Sequence, residues 1–312
     1  MMKSFLFLSL FTLILYSQAQ DPIVEHMYTA DPSARVFNDT LYVYPSHDPD
    51  TATWFNMADW HVFSTTDMEN WTDHGVAFSL EDLSWANRYA WAPDCIGRNG
   101  KYYFYYPVEK SMIGVAVSDK PTGYFKDPLD SALIHINSKG VVCDRDFIDP
   151  AVFIDDDDQA YLYMGQHTVN AIKLNEDMIS YDGEVHHLES TLGFFEAIWM
   201  HKYDGKYYLS YVSTSRELKY CIGDSPLGPF EYQGVLLPPM NSGTSHHSIV
   251  EYKGEWYLFY HNANLYYQNN PEVTPGTGLK PGRGPHRFRR SMTFQKLVYN
   301  EDGTIQKVNP YE

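Results

Sequence analysis

Asp146-Phe-Ile-Asp-Pro-Ala-Val-Phe-Ile-Asp-Asp-Asp-Asp-Gln-Ala-Tyr-Leu-Tyr163 is the stretch from which the fold of this chain can be predicted. It contains an apolar run at Ala151–Ile154, four consecutive acids at Asp155–Asp158 and an aromatic run at Tyr161–Met164. Two short strand-like runs on either side of a polar turn are typical of a β-hairpin. Asp149 stands just before the first predicted strand.

The same hairpin pattern occurs five times along the chain. Each copy begins with a polar residue, called its head, and these heads are Asp31, Asp94, Asp149, Glu196 and His246. Each head lies 9 to 12 residues before an aligned aromatic residue, namely Tyr42, Tyr103, Tyr161, Tyr208 and Tyr257. In a radial arrangement of repeated sheets, equivalent positions converge on one axis. The spacing therefore predicts that four acids and one histidine share a site.

Further strand-like segments follow the hairpins, at Trp60–Ser64, Ile113–Asp119, Leu218–Asp224 and, less clearly, Asn170–Asn175. Each repeat thus contains about four strands in roughly 50–60 residues, close to the length of a propeller blade. Because helical periodicity is almost absent, we predict an all-β fold, a five-bladed β-propeller. A β-sandwich also has short strands with turn signals, but it does not predict a polar residue repeating at one offset.

Two long segments interrupt the strand pattern, His47–Asp59 and Asn262–Arg287. Loops of this length in a compact domain are often functional. We expect both segments to emerge near one face of the propeller and to wall a pocket.

Residues 1–20 differ in composition from the rest of the chain. A lysine at position 3 precedes an apolar run at Phe5–Tyr16 and then small residues, which is typical of a secretory signal peptide. The run is too short for a membrane-spanning helix, and no lipid-attachment cysteine follows it. We therefore predict a signal peptide over 1–20, a single propeller domain over 21–312, and a secreted or periplasmic protein.

The formal net charge is −17. Such an acidic chain repels phosphate backbones and anionic membrane surfaces, so neither nucleic acid nor a membrane is an expected partner. Aromatic residues make up 16% of the chain, which suits β-strands and also suits sugars, whose faces stack on flat rings. Packing in strands explains most of these aromatic residues, and we expect the protein to be a monomer.

Several carboxylates at one axis have a chemical consequence. A single Asp before a strand is usually a turn cap, so the argument depends on the shared spacing of the heads. Neighbouring carboxylates repel each other, which raises at least one pKa and leaves another group ionised. Glycoside hydrolysis needs that division between a protonated acid and an ionised carboxylate.

The segments around the heads resemble glycoside hydrolase family 43, and the resemblance covers residues 25–308. It rests on Ala30-Asp31-Pro32-Ser33, Trp91-Ala-Pro-Asp94, Ile148-Asp149-Pro150-Ala-Val-Phe, Phe195-Glu196 with Trp199-Met-His-Lys, and Ser245-His246-His247-Ser248. These motifs are highly specific together, although none is specific alone. The resemblance implies a five-bladed propeller and hydrolysis of glycosidic bonds with inversion.

The resemblance also implies roles for individual residues. Asp31 is expected to be the general base, Glu196 the general acid, and Asp149 the residue that positions Glu196 and adjusts its pKa. Where many family members have Gly-Pro after the acid, this chain has Ala197-Ile198. Substrate binding is expected of Trp91, Asp94, His246 and Arg290, with Arg289 as the alternative to Arg290.

His246 has a second interpretation, because the matching histidine of some family members lies beside a calcium ion at the propeller centre. A structural histidine is an equal alternative, since calcium prefers oxygen ligands. No cofactor is expected to be required. Trp54 and Trp85 join Trp91 as candidates for stacking on sugar.

The resemblance implies an enzyme that removes terminal α-L-arabinofuranosyl or β-D-xylosyl groups from plant polysaccharides or oligosaccharides. Galactose release by the same family is the first alternative, and a non-catalytic carbohydrate-binding propeller is the second. A retaining hydrolase and a polysaccharide lyase are further alternatives. Arabinofuranose and xylopyranose present similar hydroxyls, so the sequence does not name the sugar.

Overall fold

The computed structural model describes residues 21–189, 191–276, 280 and 282–310. The predicted signal peptide lies outside this part of the chain, so secretion stays a prediction. Five small antiparallel sheets account for the strands of the described residues.

Each sheet is one blade, and its strands run outwards from the axis in chain order. Blade 1 consists of β1 (Tyr28–Phe37), β2 (Thr40–Asp48), β3 (Asp59–Thr65) and β4 (Thr72–Ser79). Blade 2 consists of β5 (Asp94–Arg98), β6 (Lys101–Val108), β7 (Met112–Ser118) and β8 (Ile134–His135). Blade 3 consists of β9 (Ala151–Ile154), β10 (Ala160–Met164), β11 (Asn170–Leu174) and β12 (His186–His187).

Blade 4 consists of β13 (Phe194–Tyr203), β14 (Lys206–Ser213), β15 (Leu218–Gly223) and β16 (Phe230–Leu237). Blade 5 consists of β17 (His247–Tyr252), β18 (Glu255–Asn262) and β19 (Ser291–Leu297). The described helices are short: α1 (Asn264–Asn269) and two 3₁₀ turns at Leu80–Asp82 and Pro285–Arg287.

The blades close into a ring. The innermost strands β1, β5, β9, β13 and β17 contact one another in cyclic order. The start of β1 and the segment before it join the last blade to the first, because Ile23 N donates to Met292 O and Thr29 N donates to Arg290 O, each at 2.9 Å. The prediction of an all-β, five-bladed β-propeller is confirmed.

The hairpin that opens blade 3 shows why these sequences form blades. Tyr161 pairs with Phe153 and Leu162 pairs with Val152 across β9 and β10. Since successive side chains of a strand point to opposite faces, Val152 and Leu162 pack against blade 2, whereas Phe153 and Tyr161 pack against blade 4. Both faces of the blade are therefore buried, and the core lies between neighbouring blades.

The axis itself contains a largely buried ion pair between Arg35 of β1 and Asp94 of β5, whose side chains are 15% and 1% exposed. Asp94 Oδ1 accepts a hydrogen bond from Ser33 Oγ at 2.6 Å, and Asp94 Oδ2 accepts one from Val152 N of β9 at 2.7 Å. The Arg35 guanidinium lies 4.1 Å from the centre of a Trp199 ring in β13. One ion pair thus connects four blades.

The C-terminal segment after the second long loop forms only part of a hairpin. Its first half is β19, which completes blade 5, but its second half makes a single bridge between Tyr299 and Ile305. The reason is that the chain turns onto blade 4, where Val308 N donates to Leu236 O at 2.8 Å.

In the described part of the chain, no helix has both the length and the apolar character needed to cross a membrane.

The Asp94 carboxylate should carry much of the stability of the ring. Asp94→Asn leaves the largely buried Arg35 charge without its counter-charge, so the free energy of unfolding should fall by about 3 kcal/mol. The control is Asp119→Asn, which removes an exposed carboxylate that pairs with Lys101 and should change the value little. Urea denaturation measures both, and similar losses would contradict the role of Asp94.

Candidate active site

A cavity of about 290 Å³ lies at the axis of the propeller. Seven of the candidate site residues line it, namely Asp31, Trp54, Trp91, Asp149, Glu196, His246 and Arg290. Both long loops contribute to its wall, the first through Trp54 and the second through Arg287.

Besides Arg289, the alternative to Arg290, two candidate residues do not line this cavity. Asp94 is 1% exposed and binds Arg35, Ser33 and Val152. Its carboxylate therefore connects neighbouring blades, although it was expected to bind substrate. Trp85 donates from Nε1 to Asp127 at 2.6 Å and packs against Tyr106. Its ring therefore does not line the cavity in which it was expected to stack on a sugar.

Irregular backbone places the catalytic candidates at the axis. Asp31, Asp149 and Ala197 have φ values of 54°, 57° and 60°, in the left-handed region that residues other than glycine rarely adopt. The register of β1 shifts between Ala30 and Ser33, and that of β13 shifts around Glu196. Such bulges redirect side chains next to active sites.

The Asp31 carboxylate is surrounded by donors. Oδ1 accepts from Arg290 Nη1 at 2.9 Å, and Oδ2 accepts from Ser46 Oγ at 2.6 Å. Burial alone would raise the pKa of Asp31, but the Arg290 charge, the largest opposing effect, and nearby polar groups lower it to about 2. Asp31 is therefore ionised at neutral pH, as a general base requires.

Glu196 has the opposite environment. Burial raises the pKa of Glu196 to about 7, against the hydrogen bond that its Oε2 accepts from Gln166 Nε2 at 2.8 Å, and the charge of Asp31 adds to the increase. Two carboxyls in one cavity thus differ in protonation near neutral pH. That division matches a base and an acid in one reaction.

Asp149 contacts the residue that follows the acid. Its Oδ2 accepts a hydrogen bond from Ala197 N at 2.8 Å. Burial first, then the charges of Glu196 and Asp31, raise the pKa of Asp149 well above its usual range. Because Asp149 and Glu196 repel each other when both are ionised, the pair retains a proton near neutral pH.

Arg290, rather than Arg289, lies at the site. It is 1% exposed, and besides Asp31 its Nε and Nη2 donate to Asp48 at 2.8 Å each. Although burial opposes its charge, Asp31 and Asp48 raise the pKa of Arg290, so it stays charged. The Arg289 guanidinium instead lies 5.9 Å from the centre of the Tyr266 ring.

Two histidines flank the carboxylates in the neutral form. Burial lowers the pKa of His246, whose Nδ1 lies 3.8 Å from Asp149 Oδ2. Burial, and then the charge of Arg290, lower the pKa of His261 to about 3. His261 Nδ1 accepts from Asp31 N at 3.0 Å, so this ring fixes the backbone of the base.

The mouth of the cavity combines aromatic and cationic side chains. Lys110 Nζ lies 5.9 Å from the Trp54 ring centre and 5.1 Å from that of Trp91. Arg145 and Arg287 also line the cavity. Flat rings beside hydrogen-bond donors suit a sugar, which has an apolar face and a hydroxylated edge.

Sequence reasoning missed Gln166, His261 and Ser46, which lie 4 or 5 residues after the aligned tyrosines of blades 3, 5 and 1. A second polar position repeating at that offset is the signal that could have found them. Lys110 has no comparable repeat, since it enters the site from the turn between β6 and β7.

Comparison with known proteins agrees with this geometry. The family model for glycosyl hydrolases family 43 matches residues 19–305. A xylosidase/arabinosidase of Humicola insolens is 37% identical, over 93% of this chain and 99% of its own length. A xylosidase/arabinosidase of Bacteroides ovatus is also 37% identical, over 89% of this chain and 94% of its own.

A solved structure has the same fold over nearly the whole chain. It is a family 43 β-xylosidase/α-arabinofuranosidase from a compost microbial metagenome, in complex with xylotriose and in a calcium-free form. It superposes with a TM-score of 0.80 and 37% identity, over 94% of this chain and 98% of its own. By sequence and by fold, this chain belongs to glycosyl hydrolases family 43.

Proposed function

We propose that this protein hydrolyses the glycosidic bond of terminal α-L-arabinofuranosyl or β-D-xylosyl groups on plant polysaccharides or oligosaccharides, with inversion. The observation that carries the proposal is the opposite pKa shift of two carboxyls in one cavity, to about 2 for Asp31 and about 7 for Glu196. The cavity, at about 290 Å³, is at the small end of ligand pockets, which supports action on a terminal sugar.

The reaction proceeds by a single displacement. Asp31 takes a proton from a water molecule as that water attacks the anomeric carbon, and Glu196 Oε protonates the departing oxygen. Arg290 holds Asp31 in its ionised form before the reaction. Inversion requires the two carboxyls to be about 6.5–9.5 Å apart, so that a water fits between Asp31 and the sugar.

Asp149 assists Glu196 in two ways. Its hydrogen bond from Ala197 N favours the ionised form of Asp149 and fixes the backbone beside the acid. Its negative charge makes ionisation of Glu196 more costly, so the catalytic proton stays on Glu196.

The side chains around His246 offer few ligands for a calcium ion. His246 offers one imidazole nitrogen, and Asp149 is the carboxylate that lies within 4 Å of it in the described structure. Calcium takes about six to eight oxygen ligands, so these side chains do not form a cage, and an ion at the propeller centre would be held through water. No catalytic step involves it. Secretion or export to the periplasm and a monomeric state complete the proposal.

The function is tested by release of aryl leaving groups from a panel of glycosides. We expect turnover of α-L-arabinofuranosides, β-D-xylosides or both, with an inverted product anomer by NMR. Turnover of galactosides alone would support the galactose-releasing alternative. A retained anomer, an unsaturated product that absorbs in the ultraviolet, or binding without turnover would contradict the proposal.

The acid and base roles differ in their dependence on the leaving group. Glu196→Gln should reduce kcat/KM by about 10²–10⁴-fold on natural oligosaccharides but much less on activated aryl glycosides, which need little protonation. Asp31→Asn should reduce it by a similar factor on both substrates, because the water then lacks a base. For each folded variant, the measurement is the ratio of kcat/KM on a natural oligosaccharide to kcat/KM on an activated aryl glycoside. Equal small losses in both variants would refute the assignments.

Asp149→Asn tests the modulator role through pH. The charges of Asp149 and Glu196 repel each other, as the raised pKa of Asp149 shows, so removing the Asp149 charge should lower the pKa of Glu196 from its value of about 7. The alkaline limb of kcat/KM should therefore move to lower pH. Asp158→Asn, an exposed change in the turn of the same hairpin, should leave the limb in place. An unchanged or raised limb in Asp149→Asn would show that Asp149 only orients its neighbours.

A further inference from the structure

A second cluster of ionisable side chains lies in blade 1, outside the catalytic cavity. His47, Asp59 and His61 each present one ligand atom, and these atoms all lie within 4.8 Å of one another. His47 Nδ1 lies 2.8 Å from Asp59 Oδ1, and His61 Nε2 lies 3.7 Å from the same oxygen. We propose that these three residues bind a divalent transition-metal ion, with Zn²⁺ the expected occupant.

The donor set and spacing suit this ion. Two imidazoles and one carboxylate are ligands that zinc favours, whereas calcium and magnesium prefer oxygen alone. With metal–ligand distances of about 2.0–2.2 Å, the ligands of a tetrahedral zinc stand about 3–4 Å apart. The two distances to Asp59 Oδ1 are 2.8 and 3.7 Å and no two ligand atoms are more than 4.8 Å apart, so small side-chain movements bring all three atoms into that range. The side chains of His47 and Asp59 are 25% and 27% exposed, which leaves an entry path and room for a water as fourth ligand.

The surroundings of His61 supply an independent observation. His61 is 7% exposed, and its Nδ1 is a buried atom that makes no hydrogen bond in the described structure. That nitrogen faces Asp73 Oδ1 at 3.9 Å, while Asp73 Oδ2 lies 2.8 Å from His26 Nε2. A carboxylate behind a metal-binding histidine orients the ring and fixes its tautomer. Metal on Nε2 places the proton on Nδ1, towards Asp73.

The position of the cluster gives the ion a structural consequence. His47 lies near the end of β2 and Asp59 begins β3, so the ion joins the two ends of the segment 49–58. That segment supplies Trp54, Phe55 and Met57 to the cavity wall. Bound metal therefore restrains one wall of the active site without itself lining the cavity. This inference is independent of which sugar is released.

Zinc titration of the full chain tests the proposal. Protein stripped with a chelator should bind one Zn²⁺ by calorimetry, and its Tm should rise by at least about 3 °C when zinc is saturating. His47→Ala and Asp59→Asn should each weaken binding by about 100-fold or more, since even outer partners of a metal contribute 10–100-fold. The matched control is His74→Ala, which removes a blade 1 histidine whose Nε2 contacts Ser64 instead.

A second measurement follows the loop directly. Zinc should slow amide hydrogen exchange in residues 49–58 of the unmodified protein and not in His47→Ala. Equal zinc affinity in His47→Ala and the unmodified protein would overturn the proposal, as would no binding at millimolar ZnCl₂. Loss of zinc binding in Glu196→Gln with retention in His47→Ala would also overturn it, because the ion would then belong to the catalytic cavity.

Discussion

The largely buried ion pair between Arg35 and Asp94 is the contact on which the geometry of the site depends. Two charges at the axis require partners, and the chain supplies them from the inner strands of separate blades. Asp94 binds Val152 N in β9, Arg35 stacks on Trp199 in β13, and Trp199 Nε1 donates to a carbonyl of β17 at 2.9 Å. These contacts fix all five inner strands to one another. The carboxylates in or beside those strands therefore keep their relative positions.

A second arginine, Arg290, makes the pKa values of two similar carboxyl groups differ. Asp31 and Glu196 occupy equivalent places in their hairpins, and both are buried. Arg290 reaches Asp31, whereas Glu196 accepts from the neutral amide of Gln166. Asp48 binds the other side of the Arg290 guanidinium and holds it against Asp31. The asymmetry needed for acid and base therefore comes from the residues around the repeat rather than from the repeat itself.

The repeat determines how much of the fold and of the site could be predicted from the sequence. Asp31, Asp149 and Glu196 could be predicted as one site because their hairpins share an offset, and the five blades follow from the same pattern. Asp94 has that offset too, yet it lies among blade-connecting partners outside the cavity. An offset places a residue near the axis but does not tell which neighbours surround it there. Gln166 and His261 act through contacts with the next blade of the ring, and such contacts become visible only once the blades are assembled.

The backbone at Ala197 shows how one carboxylate can serve both structure and chemistry. Ala197 holds a φ of 60°, where glycine would be less strained, and the family resemblance places glycine at this position in many members. The hydrogen bond from Ala197 N to Asp149 Oδ2 helps to offset that strain. The same oxygen lies 3.8 Å from His246 Nδ1, in the cavity that Glu196 lines. Since an amide oxygen at position 149 could accept this bond without carrying charge, the backbone role and the electrostatic role of Asp149 are physically separable.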